Sequence, residues 1–154
     1  MSGLSPDKRS QQLLRLPRDQ TPVMITLEDG EQAHAMLFLA PGSSVIRFLE
    51  DAPPFVPVSY TAGLRLVSRS SIACITVQST DAPPEDPDLP LERQRVRIRL
   101  RGGRSIEGEL RWIASSGRRR TADCLNDPML HVVVHEAAHV SFIAKVHIAY
   151  TEEL

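Results

Sequence analysis

The feature that most limits what this 154-residue chain can fold into is an internal repeat. Residues 23–30 match residues 96–103 at an offset of 73 residues. The aliphatic residues at alternate positions, 23, 25 and 27, and the final glycine are identical in the two segments. Residues 49–73 then match residues 125–149 at an offset of 76, with identical or similar aliphatic residues in register. So many matches in register indicate a duplication, and a duplicated chain is expected to fold into two similar units.

The repeat divides the chain into four parts. We expect the first copy at residues 21–79 and the second at residues 93–154, each long enough for five or six short strands. Residues 80–92 between them are rich in proline and acidic residues, a composition typical of an extended, solvated linker. For residues 1–20 we expect a short helix that packs on a copy or a mobile docking tail, since a serine–proline pair precedes three leucines there.

Apolar residues alternate with polar residues along the expected strands. Val96, Ile98 and Leu100 are separated by arginines, which is the period of a half-buried strand. Further strands of the second copy are expected at residues 105–112, 131–134, 140–143 and 147–150. So short a sheet buries a core only by curling on itself. The sequence therefore predicts an all-β fold of two tandem small barrels related by internal duplication.

Residues 96–110 resemble the first two strands of Sm-like and SH3-like barrels, in which a glycine turn joins a strand to a second strand bent at an internal glycine. Residues 143–148 are similar in outline to the later Sm motif of an aliphatic residue, a basic residue and a downstream isoleucine. The resemblance implies a small-barrel fold for both copies, with RNA binding as a function. Two departures weaken that implied function. Asp123 and Asn126 fall later than the base-reading pair of Sm-like proteins, and residues 144–145 are Ala-Lys where that family has Arg-Gly.

Composition and motifs exclude several classes of protein. Hydrophobic residues make up 42% of the chain and charged residues 24%, as in globular proteins. The longest apolar run, residues 35–40, is too short to span a membrane. We expect no secretory signal, and two cysteines alone fit the reducing cytoplasm of what reads as a bacterial protein. The chain has no Walker loop, nucleophile elbow or dinucleotide motif, so we expect a non-enzymatic protein without a cofactor.

One short string, residues 135–139, reads His-Glu-Ala-Ala-His and has the form of a zinc-hydrolase motif. On a helix, His135 and His139 would share one face and bind zinc, with Glu136 as the general base. The repeat instead matches this string with residues 59–63, a hairpin connection, and the flanking valines favour strands. We therefore predict a hairpin without a metal site. Two alternatives are a small zinc-dependent hydrolase that uses the His135–His139 string, and a structural zinc site formed by His131, His135 and His139 across the hairpin.

The second copy carries a stripe of arginines that the first copy lacks. Every second residue of its first strand is arginine, and the candidate partner-binding residues are Arg95, Arg97, Arg99, Arg101 and Arg104. Met24, Thr26 and Glu28 occupy matching positions in the first copy, so the fold itself does not require arginine there. Arginine rows bind carboxylates or phosphates. Cross-strand pairing is also expected, with Glu92, Glu107 and Glu109.

Charge is divided unevenly between the copies. Residues 1–89 hold seven Lys/Arg and eleven Asp/Glu, whereas residues 90–154 hold eleven and eight. We expect a cytoplasmic protein-interaction module or adaptor that binds an acidic protein partner through the arginine stripe and does not bind membranes. An Sm-like nucleic-acid (RNA) binding protein is the alternative. A third possibility is that acidic linker residues fold back onto the stripe, namely Asp81, Glu85, Asp86 and Asp88. The sequence leaves the oligomeric state open.

Overall fold

The computed structural model describes residues 19–81, 86–115 and 117–154. The expected N-terminal tail or helix therefore lies almost entirely outside the described residues, as does Glu85 in the linker. The first half of the chain contains β1 (Asp19–Leu27), β2 (Gln32–Leu39), α1 (Val45–Asp51), β3 (Phe55–Tyr60), β4 (Gly63–Ser68), a 3-10 turn (Arg69–Ser71) and β5 (Ile72–Gln78). The second half contains β6 (Leu91–Leu100), β7 (Ser105–Ile113), α2 (Thr121–Leu125), β8 (His131–His135), β9 (His139–Ala144), a 3-10 turn (Lys145–His147) and β10 (Ile148–Glu153). The elements thus follow the same order in both halves.

The described strands form one ten-stranded antiparallel sheet, so the all-β prediction is confirmed. The strand order is β10-β6-β7-β8-β9-β5-β1-β2-β3-β4. Within each half the first four strands pair in chain order, and the last strand bonds to the first, β5 to β1 and β10 to β6. Among the described residues, no helix is long and apolar enough to cross a membrane.

The sheet is not closed, which differs from the expectation of two barrels. Strand β5 pairs with β1 on one side and with β9 of the second half on the other, from Cys74 opposite Ile143 to Gln78 opposite His139. Both sides of β5 are therefore occupied, and it has no free side on which β4 could close the first half. The ends of the sheet are β4 and β10.

Two apolar clusters form the core, and the halves exchange side chains between them. The first cluster contains Val23 and Ile25 of β1, and the second contains Val96, Ile98 and Leu100 of β6, as their alternation predicts. The first cluster also takes side chains from β9 of the second half, and the second cluster takes side chains from β5 of the first half; these are Val140 and Phe142, and Ala73 and Cys74. Neither half is therefore packed independently of the other.

Two short helices, which the strand pattern did not predict, each add buried side chains to one of the two clusters. Helix α1 begins after Ser44, whose side chain accepts a hydrogen bond from the backbone N–H of Arg47 at 3.3 Å. Val45 and Leu49, four residues apart on one face, are its buried side chains. Helix α2 buries Cys124, and its first turn is fixed by Asp123 Oδ2, which accepts from the backbone N–H of Arg120 at 3.0 Å.

The β1–β2 turn and the β6–β7 turn pack directly against each other. A Cβ atom added at Gly102 would lie 2.6 Å from the carbonyl oxygen of Glu28, and one added at Gly30 would lie 2.7 Å from the carbonyl oxygen of Gly102. Backbone therefore touches backbone here, and only glycine fits at Gly102 without movement of a turn. Arg104 Nε adds a hydrogen bond of 2.7 Å to the Gly30 carbonyl oxygen.

Candidate functional site

The arginines of β6 lie on its outer face because Val96, Ile98 and Leu100 take the alternate, core-facing positions. On one side β6 pairs with β7, which places Arg97 opposite Glu107 and Arg95 opposite Glu109. On the other side it pairs with β10, which places Arg97 opposite Glu152. The predicted stripe is therefore a strip of cations between two strands that carry carboxylates on the same face.

Arg97 is held at the centre of this face by two carboxylates. Its Nε lies 2.8 Å from Glu107 Oε1, and its Nη1 lies 3.5 Å from Glu152 Oε2. The hydrogen bond with Glu107 is the main cause of a raised pKa for the Arg97 guanidinium. Arg97 thus ties β10, β6 and β7 together and has little capacity left for an external anion.

Glu109 is shared by two arginines in the same way. Arg111 Nε lies 2.7 Å from Glu109 Oε1, and Arg93 lies 3.0 Å from the same oxygen. The hydrogen bond from Arg111, followed by that from Arg93, holds the pKa of the Glu109 carboxyl below its usual range. Arg95 is opposite Glu109 in register, but the carboxylate points to its other two neighbours.

Three arginines of the stripe are exposed and have no acidic partner among the described residues. In the part of the chain that the structure describes, Arg95, Arg99 and Arg101 form no ion pair or side-chain hydrogen bond. Arg99 lies beside Tyr150 of β10, which is 49% exposed, and opposite Ser105 of β7. These three side chains, which we call the open arginines, are the part of the stripe that is available to a partner.

Arg104, which the sequence also placed in the binding patch, has a different role. Its guanidinium bonds to the Gly30 carbonyl oxygen and so connects the two halves of the molecule. Asp86 and Asp88 of the linker are exposed, and Asp86 Oδ1 accepts from the backbone N–H of Asp88 at 2.9 Å. Neither of these two aspartates forms an ion pair with the stripe.

The His-Glu-x-x-His string forms a hairpin, as predicted, and not a helix. Strand β8 ends at His135, β9 begins at His139, and the Glu136 N–H donates to the His139 carbonyl oxygen at 2.8 Å. His135 is opposite Val140, so His139, one residue earlier on β9, points to the other face of the hairpin. Two imidazoles on opposite faces do not bind one ion. No group of three or more His, Cys, Asp or Glu side chains suited to a metal occurs among the described residues.

The remaining candidate nucleophiles are buried. Burial raises the pKa of the Cys74 thiol to about 11, and burial also raises the pKa of Cys124. Both cysteines are free thiols. His131, the third residue of the alternative zinc set, is half-buried, and burial lowers the pKa of its imidazole. None of these groups is poised as an accessible thiolate or base near the arginine stripe.

The sequence did not reveal a groove of about 610 Å³ between the two halves. It is lined by residues of the first half, including Met24, His34 and Met36, and by residues of the second half, including Ile106 and His139. The groove exists because β9 pairs with β5 and places β7 beside the first half. No local sequence signal encodes that long-range pairing.

The chain was compared with known proteins, and no family model, curated protein or solved structure matches it. The resemblance to small barrels therefore remains a hypothesis about each half.

Proposed function

We propose that this protein is a non-enzymatic cytoplasmic interaction module, built from two duplicated Sm-like or SH3-like units, that binds an acidic protein segment through Arg95, Arg99 and Arg101. The observation that carries the proposal is the contrast on one strand face. Arg93 and Arg97 are paired with carboxylates, whereas the three open arginines are exposed and have no ion pair among the described residues. Guanidinium groups bind carboxylates in a two-point geometry, so an acidic partner would satisfy them.

Matching backbone hydrogen bonds support the duplication. The Gly30 N–H donates to Leu27, and the Gly103 N–H donates to Leu100, both at 3.0 Å. The bond from Glu28 to Ser71 is likewise matched by the bond from Arg101 to His147, each at 2.8 Å. Residues at repeat offsets thus form the same turns. The cytoplasmic assignment rests on Cys74 and Cys124, which are free thiols, as is usual in a reducing compartment.

The charge pattern favours a protein partner over RNA. Glu107, Glu109 and Glu152 lie among the arginines on the same face, and each would repel a phosphate backbone. Tyr150 is the aromatic side chain beside Arg99, and RNA recognition usually uses several stacking aromatics. A protein segment with spaced carboxylates can approach single arginines without meeting the glutamates between them.

The experiment measures binding of a fluorescent peptide of alternating aspartate and glycine by anisotropy. Replacing Arg95 and Arg99 with glutamate should weaken binding about tenfold or more, since charge-assisted hydrogen bonds each contribute about 1.5–3 kcal/mol. The matched control is Arg47→Glu, which alters an exposed arginine of α1 and should leave binding unchanged. The loss should be larger at low salt because surface charges are screened at high salt.

A uridine oligonucleotide with the same number of charges is the competing probe. If the oligonucleotide binds tightly, loses affinity in the Arg95 and Arg99 double variant and the peptide does not bind, the stripe binds nucleic acid and the proposal is wrong. If neither probe distinguishes the double variant from the Arg47→Glu control, the stripe is a solvated, internally paired face.

A further inference from the structure

The two free ends of the sheet are the repeat counterparts of the two strands that pair in its middle. At the offset of 76 residues, β4 corresponds to β9, and β10 corresponds to β5. Strands β5 and β9 form the junction between the halves, whereas β4 and β10 are each paired on one side only. The sheet therefore contains one junction, formed by β5 and β9. At its two ends lie β10 and β4, which correspond to these two strands but are not paired with each other.

Exposed leucines mark β4 as an unfinished interface. On β9, Val140 and Phe142 are only 4% and 3% exposed because they pack into the core of the other half. Their counterparts on β4, Leu64 and Leu66, are 61% and 69% exposed. Val67 on the opposite face of β4 is buried in its own half, so the exposed leucines lie on the side that β9 uses for the other half.

The second core is less deeply buried than the first, at positions that side chains of a neighbouring copy would cover. In the first core, Leu49 and Ile72 are buried. Their counterparts in the second core, Leu125 and Ile148, are only partly buried. The first core receives Val140 and Phe142 from across the junction, and within one chain the second core receives no equivalent side chains from β4.

Transferring the register of the junction to the free ends places opposite charges together. In the junction Thr76 is opposite Ser141, and their hydroxyl oxygens lie 2.8 Å apart. The counterpart of Thr76 is Glu152 and that of Ser141 is Arg65. Both side chains are about half exposed and already form ion pairs within their own half, Arg65 with Glu31 and Glu152 with Arg97. Exposed ion pairs exchange at little cost.

We propose that copies of this chain associate head to tail, with β4 of one copy pairing antiparallel with β10 of the next. In this register Arg65 faces Glu152 and Leu66 faces Thr151, and the two exposed leucines cover the second core of the neighbour. Such a contact is heterologous, because it uses different surfaces on the two copies. Each added copy leaves one β4 and one β10 free at the ends of the assembly until the chain closes into a ring.

One residue makes the second junction more open than the first. In the junction within the chain, Gly102 touches the backbone of the β1–β2 turn. The counterpart of Gly102 is Asp29, whose Cβ would meet the backbone of the neighbouring β6–β7 turn in an identical arrangement. The turns therefore stand farther apart between copies than within one, while the strands keep their register.

The experiment is sedimentation velocity over a range of protein concentrations. The wild-type chain should sediment as an assembly larger than the monomer, and Leu66→Asp should sediment as the monomer at every concentration. Leu130→Asp is the matched control, since Leu130 is also 69% exposed but lies outside β4 and β10, and it should behave as wild type.

Charge reversal tests the register itself. Arg65→Glu alone places two glutamates at the contact and Glu152→Arg alone places two arginines there, so each variant should be monomeric. Mixing the two variants creates only opposite-charge contacts, in alternating order, and should restore assembly. A monomeric wild-type chain, assembly by Leu66→Asp, or a mixture no larger than its components would overturn the proposal. None of these variants removes an open arginine, so the peptide test of the proposed function remains independent.

Discussion

Strand β9 in the middle of the sheet and strand β4 at its end hold the same place in the repeat, yet Phe142 is 3% exposed and its counterpart Leu66 is 69% exposed. The residues next to them, Ile143 and Val67, are buried in both strands. Each half therefore buries the inner face of its own strands, while the outer face of its fourth strand is buried only by another unit. The difference shows that a position in the repeat sets which side chains are apolar, and that the neighbour sets which of them are buried.

Truncating the two counterparts should have very different effects on stability. Phe142→Ala should lower the free energy of unfolding by about 3–5 kcal/mol, because it leaves a cavity where the halves meet. Leu66→Ala should change it by no more than about 0.5 kcal/mol in the monomer, since the side chain is exposed. Urea unfolding below the concentration at which the chain assembles measures both. Equal losses for the two variants would mean that β4 is already covered within one chain.

A second, smaller effect is expected where the two turns meet. Gly102→Ala places a methyl group within 2.6–2.7 Å of backbone atoms of Glu28 and Gly30, so one turn must move. Such overpacking typically costs about 1–3 kcal/mol. Ser105→Ala, an exposed position at the end of the same turn, is the control and should change stability by less than about 0.5 kcal/mol. Urea unfolding measures the stability of both variants. A loss for Gly102→Ala that Ser105→Ala does not show means that the two turns are in direct contact.

The local features of the fold could be predicted from the sequence because they depend on neighbouring residues. Alternation identified Val96, Ile98 and Leu100 as core positions, and the flanking valines identified the hairpin at residues 135–139. Helices α1 and α2 were missed because elements of seven and five residues carry too short a pattern to show helical periodicity. The serine that caps α1 was the available signal.

The long-range features could not be predicted in the same way. Phe142 and Leu66 are both large and apolar, so the sequence alone gives no reason for one to be buried and the other exposed. The pairing of β9 with β5, which decides this and leaves the sheet open, joins segments that are far apart in the chain. For the candidate site, cross-strand pairing of Glu107 with the arginine stripe was expected from the sequence, whereas the contact with Glu152 and the bond from Arg104 to Gly30 depend on tertiary packing.

The smallest predicted effect concerns Asp29, the position at which the junction within the chain differs from the proposed contact between copies. Asp29 is the counterpart of Gly102, and it is exposed at the tip of the β1–β2 turn, where its Oδ1 accepts from the backbone N–H of Glu31 at 2.9 Å. Asp29→Gly removes the Cβ that keeps the turns of neighbouring copies apart, and it also removes this local hydrogen bond. If both junctions share one geometry, the variant should self-associate several-fold more tightly, at a cost of about 0.5–1.5 kcal/mol in monomer stability from the lost hydrogen bond. Asp29→Asn keeps the Cβ and an amide oxygen that can accept the same bond, so it is the control and should assemble as wild type. Sedimentation over a concentration series compares the three proteins. If Asp29→Gly assembles no more tightly than Asp29→Asn, the two turns do not meet between copies, and the β4–β10 contact has its own geometry.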